Sequence, residues 1–186
     1  MNGKIRGCKW GMPCLTIITS GVSMGCIMSI QVEHIFLSPA HNYYGHHEQP
    51  PGEAPVTSVQ SVECVGGSGL VGDRFFDYKA DYRGQVTFFS AEVHEDLCAR
   101  FHVSDRGPEV FRRNIIVRGV DLNTLIGSEF TLQGVRFLGM CECTPCHWME
   151  QAFCPGAEEA MRGRGGLRAK ILSSGMLRVS DGMPSN

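Results

Sequence analysis

Apolar and polar residues alternate through "SIQVEHIFL" at 29–37, placing Ile30, Val32, His34 and Phe36 on one face and Gln31, Glu33, Ile35 and Leu37 on the other. A period of two predicts a strand. The pattern gives another strand over "VTSVQSVECV" (56–65), closed by the glycine-rich turn "GGSGLVGDR" (66–74), and a short one over "QVTFFS" (85–90). The period then changes. Val93, Leu97 and Phe101 recur every fourth residue in "AEVHEDLCARF" (91–101), with Ser90 ahead of them as an N-cap, so this segment predicts one clear amphipathic helix.

After Pro108, "RRNIIVRG" (112–119) predicts a strand, "VDLNTLIG" (120–127) a tight connection, and "SEFTLQGVRFLGM" (128–140) a hairpin turning at Gln133 and Gly134. Residues 147–161 suit one or two short helices broken at Pro155 and Gly156, and Trp148 and Phe153 are expected to anchor them in the core. "GLRAKILSSGMLRVSD" (166–181) gives two last strands joined at 173–175. Short strands with turns every 8–12 residues or so predict a mainly β fold with a few helices, a barrel or sandwich in the α+β class. One domain over 29–182 is expected, with a loosely ordered extension over 1–28 and a tail over 183–186.

Composition narrows the class without naming a partner. Apolar residues make up 42% and charged residues 19%, with 17 basic against 19 acidic side chains, which fits a soluble globular protein and argues against nucleic-acid binding. Twenty-three glycines favour turns over a helical bundle. Lys4, Arg6 and Lys9 precede an uncharged run from Trp10 to Val32 that mimics an export signal, but Gly11, Pro13, Ser20, Gly21, Ser23 and Gly25 interrupt it and no A-x-A site follows. It is too polar for a membrane span. Nine cysteines, an odd set, are not spaced as a disulfide scaffold, so a reducing, cytoplasmic setting is expected.

The chemistry concentrates in "MCECTPCHWMEQAFC" (140–154), where Cys141, Cys143, Cys146, His147 and Cys154 share one window. "CTPCH" has the C-x-x-C-H spelling of covalent haem attachment, but a strand-rich body with a poor export signal is the wrong frame. Zinc has enough soft ligands here, although no second knuckle follows. A thioredoxin-like dithiol would sit, as "CTPC" does, between a strand and a helix whose N-terminus favours thiolate, yet no βαβ frame surrounds it. Cys64, Cys98 and Cys141 read as small core residues.

Outward from "CTPC", the chain resembles the MOSC family, the domain named for the C-terminal part of molybdenum cofactor sulfurases. The phrases that carry the likeness occur in family order: "VEHIFLSPAHNYYGHH", "GLVGDRF", "GQVTFFSAEVHEDL", "FRRNIIVRGVDLNTLIGSEFTLQGVRFLG", "CTPC" and "GRGGLRAKILSSGMLRVSD". Ser180 in "RVSD" stands where relatives commonly carry glycine, a change a surface turn should tolerate. The resemblance implies a strand-rich, barrel-like fold and one essential cysteine, the carrier of sulfur or the protein ligand to molybdenum. Cys146 matches it, Cys143 is a neighbour able to resolve a persulfide or disulfide, and Cys154 is incidental.

Molybdenum cofactor has a soft metal-dithiolene end and a phosphate end, so its site needs a thiolate and planar cations. Arg74, Arg112, Arg113, Arg164 and Arg168 are the candidates, Arg113 and Arg164 foremost, with Gly165 and Gly166 to admit an anion to backbone amides and Asn114 to orient a ligand. Asp73 is read as a turn carboxylate or a partner to Arg74, and His41, His46 and His47 as a site rim able to donate protons. Two activities stay open: reduction of N-hydroxylated or N-oxide small molecules with a reductase partner, or sulfur transfer through a Cys146 persulfide fed by a cysteine desulfurase. Pyridoxal phosphate, a family association, is not expected on this chain. The remaining alternatives are a non-catalytic cofactor carrier and a zinc-stabilised binding module.

Overall fold

The computed structural model describes residues 30–43, 46 and 49–181. The expected extension over 1–28, the tail over 183–186, Tyr44 and His47 lie outside the described residues. Among the described residues, ten strands form two sheets, accompanied by three short α-helices. The larger sheet runs in the order β2 (Thr57–Val59), β1 (Gln31–Leu37), β6 (Ile115–Arg118), β5 (Val86–Ser90), β9 (Leu167–Ile171), β8 (Val135–Glu142) and β7 (Glu129–Leu132). The smaller contains β10 (Gly175–Arg178), β3 (Ser61–Val65) and β4 (Gly69–Leu70). The mainly β class holds, but β2 and β7 are edges that pair with no second neighbour, so the sheet does not close into a barrel.

Both faces of the large sheet are covered. Val32, Ile35, Phe88, Ile115 and Val117 face a core completed by Val62, Cys64, Leu70 and Leu177 from the small sheet. Phe36, Phe89 and Ile116 point the other way, onto a second core with Leu97, Phe111, Trp148, Met149 and Phe153. Burial on both faces explains why successive residues of β5 and β6 are buried rather than alternating with exposed ones. β5 and β6 are parallel, which requires a crossover, and α1 (Ala91–Phe101) supplies it.

That helix spans the predicted residues, and the Ser90 side chain caps it by accepting from the Val93 amide at 3.2 Å. Leu97 is fully buried, with Val93 and Phe101 packed beside it. The Gln133–Gly134 hairpin also forms, both residues having positive φ (49° and 83°) as a tight primed turn requires. Two strand expectations change. Pairing of β1 with β6 slips between Val32 and His34, so Val32 and Ile35 share a core in place of strict alternation. The segment 56–65 breaks at Gln60, sending β2 to the large sheet and β3 to the small one. Among the described residues, no helix is long and apolar enough to cross a membrane.

Candidate functional site

β8 leads into the cysteine window, and the turn just ahead of β6 carries Arg112 and Arg113. A 3₁₀ turn over Pro108–Phe111 ends at Arg112, whose φ of 55° lies in the left-handed region, where a non-glycine residue carries backbone strain. Arg112 and Arg113 consequently reach different parts of the structure. Arg112 donates through Nη2 to Ser38 Oγ (2.6 Å) and to the Ala40 carbonyl (2.7 Å), and through Nη1 to the Ala54 carbonyl (3.4 Å). Arg113 donates from Nε to the Gly165 carbonyl (3.1 Å), from Nη1 to that of Phe111 (3.0 Å) and from Nη2 to that of Cys143 (2.9 Å). Arg113 thus braces the thiol loop from beneath.

The loop is held at further points. The Cys143 amide donates to the Gly166 carbonyl at 2.7 Å, and a Cβ on Gly165 would lie 2.5 Å from the Cys143 carbonyl and 2.7 Å from Pro145 Cδ. Gly165 is there because the backbone of the thiol loop lies against it. Its own amide donates to Glu142 Oε1 at 3.1 Å, so a side-chain carboxylate already occupies the position expected of an anionic ligand. Arg164 lies elsewhere. It pairs with Asp96 at 2.7 Å, donates to the Ala160 carbonyl and lines a separate cavity of about 360 Å³ with Ser90, Val93, Val120 and Leu122.

Asp73 fixes the opposite wall. Its buried carboxylate accepts from the Ser38 amide, the Phe75 amide, Asn114 Nδ2 and Arg74 Nη1 at 3.0–3.3 Å. It is both turn carboxylate and partner to Arg74. Arg74 also donates to the Arg112 carbonyl and lies 4.8 Å over the Phe75 ring. Asn114 is fully engaged as well, bonding Thr87 and the Phe36 carbonyl, and so knits β1, β5 and β6 together at this end of the sheet. Burial, opposed by Asp73 and reinforced by Arg113, lowers the pKa of Arg74; burial and then Arg74 lower that of Arg112. Both guanidiniums remain charged at neutral pH, so the fold has gathered desolvated positive charge here.

The two thiols of "CTPC" are unequal. Cys143 is buried, and Arg168 and Arg74 are close enough to it to interact electrostatically, as Arg168 also is to Tyr82. Cys146 is exposed, on the side nearer Tyr43. The helix after it, α2 (Trp148–Ala152), has only five residues and supplies little of the dipole expected of a helix end. Trp148 is buried against Tyr43, their rings stacked 4.8 Å apart, and His147 is tilted onto the outer side of that stack. None of the six described cysteines is disulfide-bonded, and no group of three or more His, Cys, Asp or Glu among the described residues could hold a metal ion. The five candidate ligands of the window therefore do not converge as a zinc site would require.

The histidines divide similarly. His41 is half-buried, and its pKa is lowered by burial and by the charges of Arg74 and Arg112, which keeps the ring neutral at pH 7 rather than a ready proton donor. His46 Nδ1 lies 3.0 Å from the Pro50 carbonyl, inside its own loop. Sequence reasoning overlooked the aromatic residues of the loop after Arg74, where Phe75, Tyr78 and Tyr82 pack together. Their signal was local composition, since that loop has no periodicity to read.

Cys64 is fully buried, with its pKa pushed up to about 12 chiefly by burial, whereas Cys146 is exposed. In the native protein, maleimide should modify Cys146 at least tenfold faster than Cys64 or Cys143, since the reagent reaches only the exposed thiol. Peptide mapping by mass spectrometry over a time course reads this directly. Equal rates at Cys146 and Cys143 would contradict the burial difference.

A C-x-x-C loop with one exposed thiol and one buried thiol next to guanidinium groups, on an open β-sheet with helices over one face, defines an α+β thiol-site domain. Comparison with known proteins then places it. The family model for the MOSC domain matches residues 69–183, more than half of the chain, and the protein belongs to the MOSC family. Solved structures share the fold. YUAD from Bacillus subtilis aligns with a TM-score of 0.63 at 16% identity, covering 82% of this chain and 92% of that one. YiiM from Geobacillus stearothermophilus aligns at 0.58 with 14% identity, covering 80% and 71%. YiiM from Escherichia coli aligns at 0.52 with 12% identity, covering 78% and 66%. No curated protein matches significantly.

Proposed function

We propose that this protein binds molybdenum cofactor, with the Cys146 thiolate as the protein ligand to molybdenum, and reduces N-hydroxylated or N-oxide small molecules there. The observation that carries this reading is that the loop presenting the exposed Cys146 thiol also carries buried Cys143, on which the cations Arg74 and Arg168 act, with Arg112 beside Arg74. This donor set fits the group chemically: a soft anion for the metal end, planar cations for the phosphate end. When bound, the cofactor supplies two-electron redox chemistry at its metal.

The chain's own residues have separate duties in this proposal. Cys146 presents the thiolate, and Arg74 and Arg168 bind the anionic end. Arg112, Arg113 and Asn114 position these groups rather than contact the ligand, because their polar atoms already bond the protein. Arg164, paired with Asp96, and Gly165, whose amide meets Glu142, lie outside the proposed contact set. Electrons would come from a reductase partner in the reducing cytoplasm, since no flavin, haem or iron-sulfur motif of this chain supplies them.

The exposure of Cys146 favours one second reading, a persulfide carrier. Attack of its thiolate on the outer sulfur of a desulfurase persulfide would break the donor's S–S bond, release the donor cysteine as thiolate and leave Cys146–S–SH. Cys143 would be the resolving thiol. Pyridoxal phosphate belongs to the desulfurase in that scheme.

The test is metal analysis of protein purified from a cofactor-competent host, with Cys146→Ser and Cys143→Ser alongside. Near-stoichiometric molybdenum that falls roughly tenfold or more in Cys146→Ser but persists in Cys143→Ser is the expected result. Stoichiometric zinc without molybdenum, lost in both variants, would sink the proposal. Cyanide-labile sulfur on Cys146 after incubation with a desulfurase marks the carrier reading.

A further inference from the structure

The 74–82 loop exposes one side of an aromatic cluster. Tyr78 is 49% exposed, among the few large apolar side chains that are, although its ring makes edge contacts with Phe75 at 5.7 Å, Tyr82 at 5.0 Å and His41 at 6.5 Å. Phe75 in turn meets Tyr82 at 5.2 Å and His41 at 4.9 Å. Three protein rings therefore fix the Tyr78 ring and leave about half of the residue open to solvent. A tyrosine held this way presents a fixed flat surface that a planar ligand can meet without first ordering it.

The cluster's position suggests what meets it. Arg74 lies 4.8 Å over the Phe75 ring, its charge acts on His41, and Arg168 interacts with both Tyr82 and Cys143. The aromatic rings and the cations thus share one wall of the thiol site. We propose that Tyr78, backed by Phe75, Tyr82 and His41, is a specificity-determining residue that selects planar aromatic substrates, with the substrate ring against the open side of Tyr78. The inference rests on the thiol site being the reactive centre, as proposed above. Ring-on-ring contact prefers offset or edge geometry and discriminates a flat ring from a saturated one of equal size, whereas simple hydrophobic burial does not.

A matched pair of probes tests this: 2-naphthoate and its fully saturated decahydro counterpart, titrated by saturation-transfer NMR against wild-type protein, Tyr78→Leu and Tyr78→Phe. Wild type should bind the flat acid several-fold tighter, Tyr78→Leu should lose roughly threefold to tenfold of that preference, and Tyr78→Phe should keep it. Leucine retains apolar bulk at a half-exposed position, so the variant folds. Equal affinity of the two acids for wild type, or an unchanged preference in Tyr78→Leu, would overturn the proposal. Molybdenum content of Tyr78→Leu is measured in parallel. Loss of the metal would assign the rings to cofactor binding and overturn the substrate role. Wild type without molybdenum would defeat the cofactor reading alone, with the probe comparison still deciding this one.

Discussion

Gly166→Ala is expected to destabilise the protein by about 3 kcal/mol or more, against about 1 kcal/mol for Gly163→Ala in the same loop. Both glycines have positive φ, 105° and 74°. At Gly163 a Cβ would meet nothing within 4 Å, leaving only the conformational cost of a left-handed alanine. At Gly166 a Cβ would strike the Phe88 carbonyl oxygen of central strand β5 and lie 3.5 Å from the Phe89 ring. Neither can retreat, because Phe88 and Phe89 are buried in the cores on opposite faces of the sheet. Urea unfolding of the two variants checks this. Equal loss in both would show that backbone strain alone, and not close packing of the thiol-loop support, requires the glycine.

Arg113→Met is expected to cost about 3–5 kcal/mol and, as its more telling result, to expose Cys143 to alkylation. Methionine matches much of the volume but leaves the carbonyls of Gly165, Phe111 and Cys143 without their donor. Each unsatisfied buried carbonyl costs about 1–3 kcal/mol, partly relieved when the loop moves to water. Arg113→Lys should not rescue, since an ammonium cannot span three acceptors that a planar fork reaches together. Thermal melts and mass-spectrometric alkylation of Cys143 measure the two effects. A stable Arg113→Met with Cys143 still protected would mean that the loop is held by Gly165 and Gly166 alone.

These variants mark where sequence reading succeeds and where it stops. Helix α1 and the Gln133–Gly134 hairpin are legible because their signals are local: an N-cap, a four-residue repeat, a turn pair. The break at Gln60 and the slip in β1 are not, since both depend on which distant strand offers the next hydrogen bonds. Within the site, the "CTPC" window and its arginines stand out as a set, but not their division of labour. Arg112 and Arg113 are identical neighbours in sequence, and only the left-handed turn at Arg112 separates them. Arg164 looks as suitable as Arg168 until Asp96, distant in the chain, claims it. Gly165 and Gly166 are recognisable as special, but the reason is close packing of backbone on backbone rather than room for an anion.

The turn at Arg112 has a mechanical consequence. Through Arg112 it grips the rim loop at Ser38, Ala40 and Ala54, and through the very next residue it grips the thiol loop at Cys143 and Gly165. Asn42 stitches the rim loop into one piece, bonding the Ala54 amide and carbonyl. A single peptide unit is therefore the common anchor of both walls, like the pin of a pair of tongs. Anything that pushes the rim outward also loads the support beneath the cysteines, so the position of the rim loop and the placement of the thiols are set together.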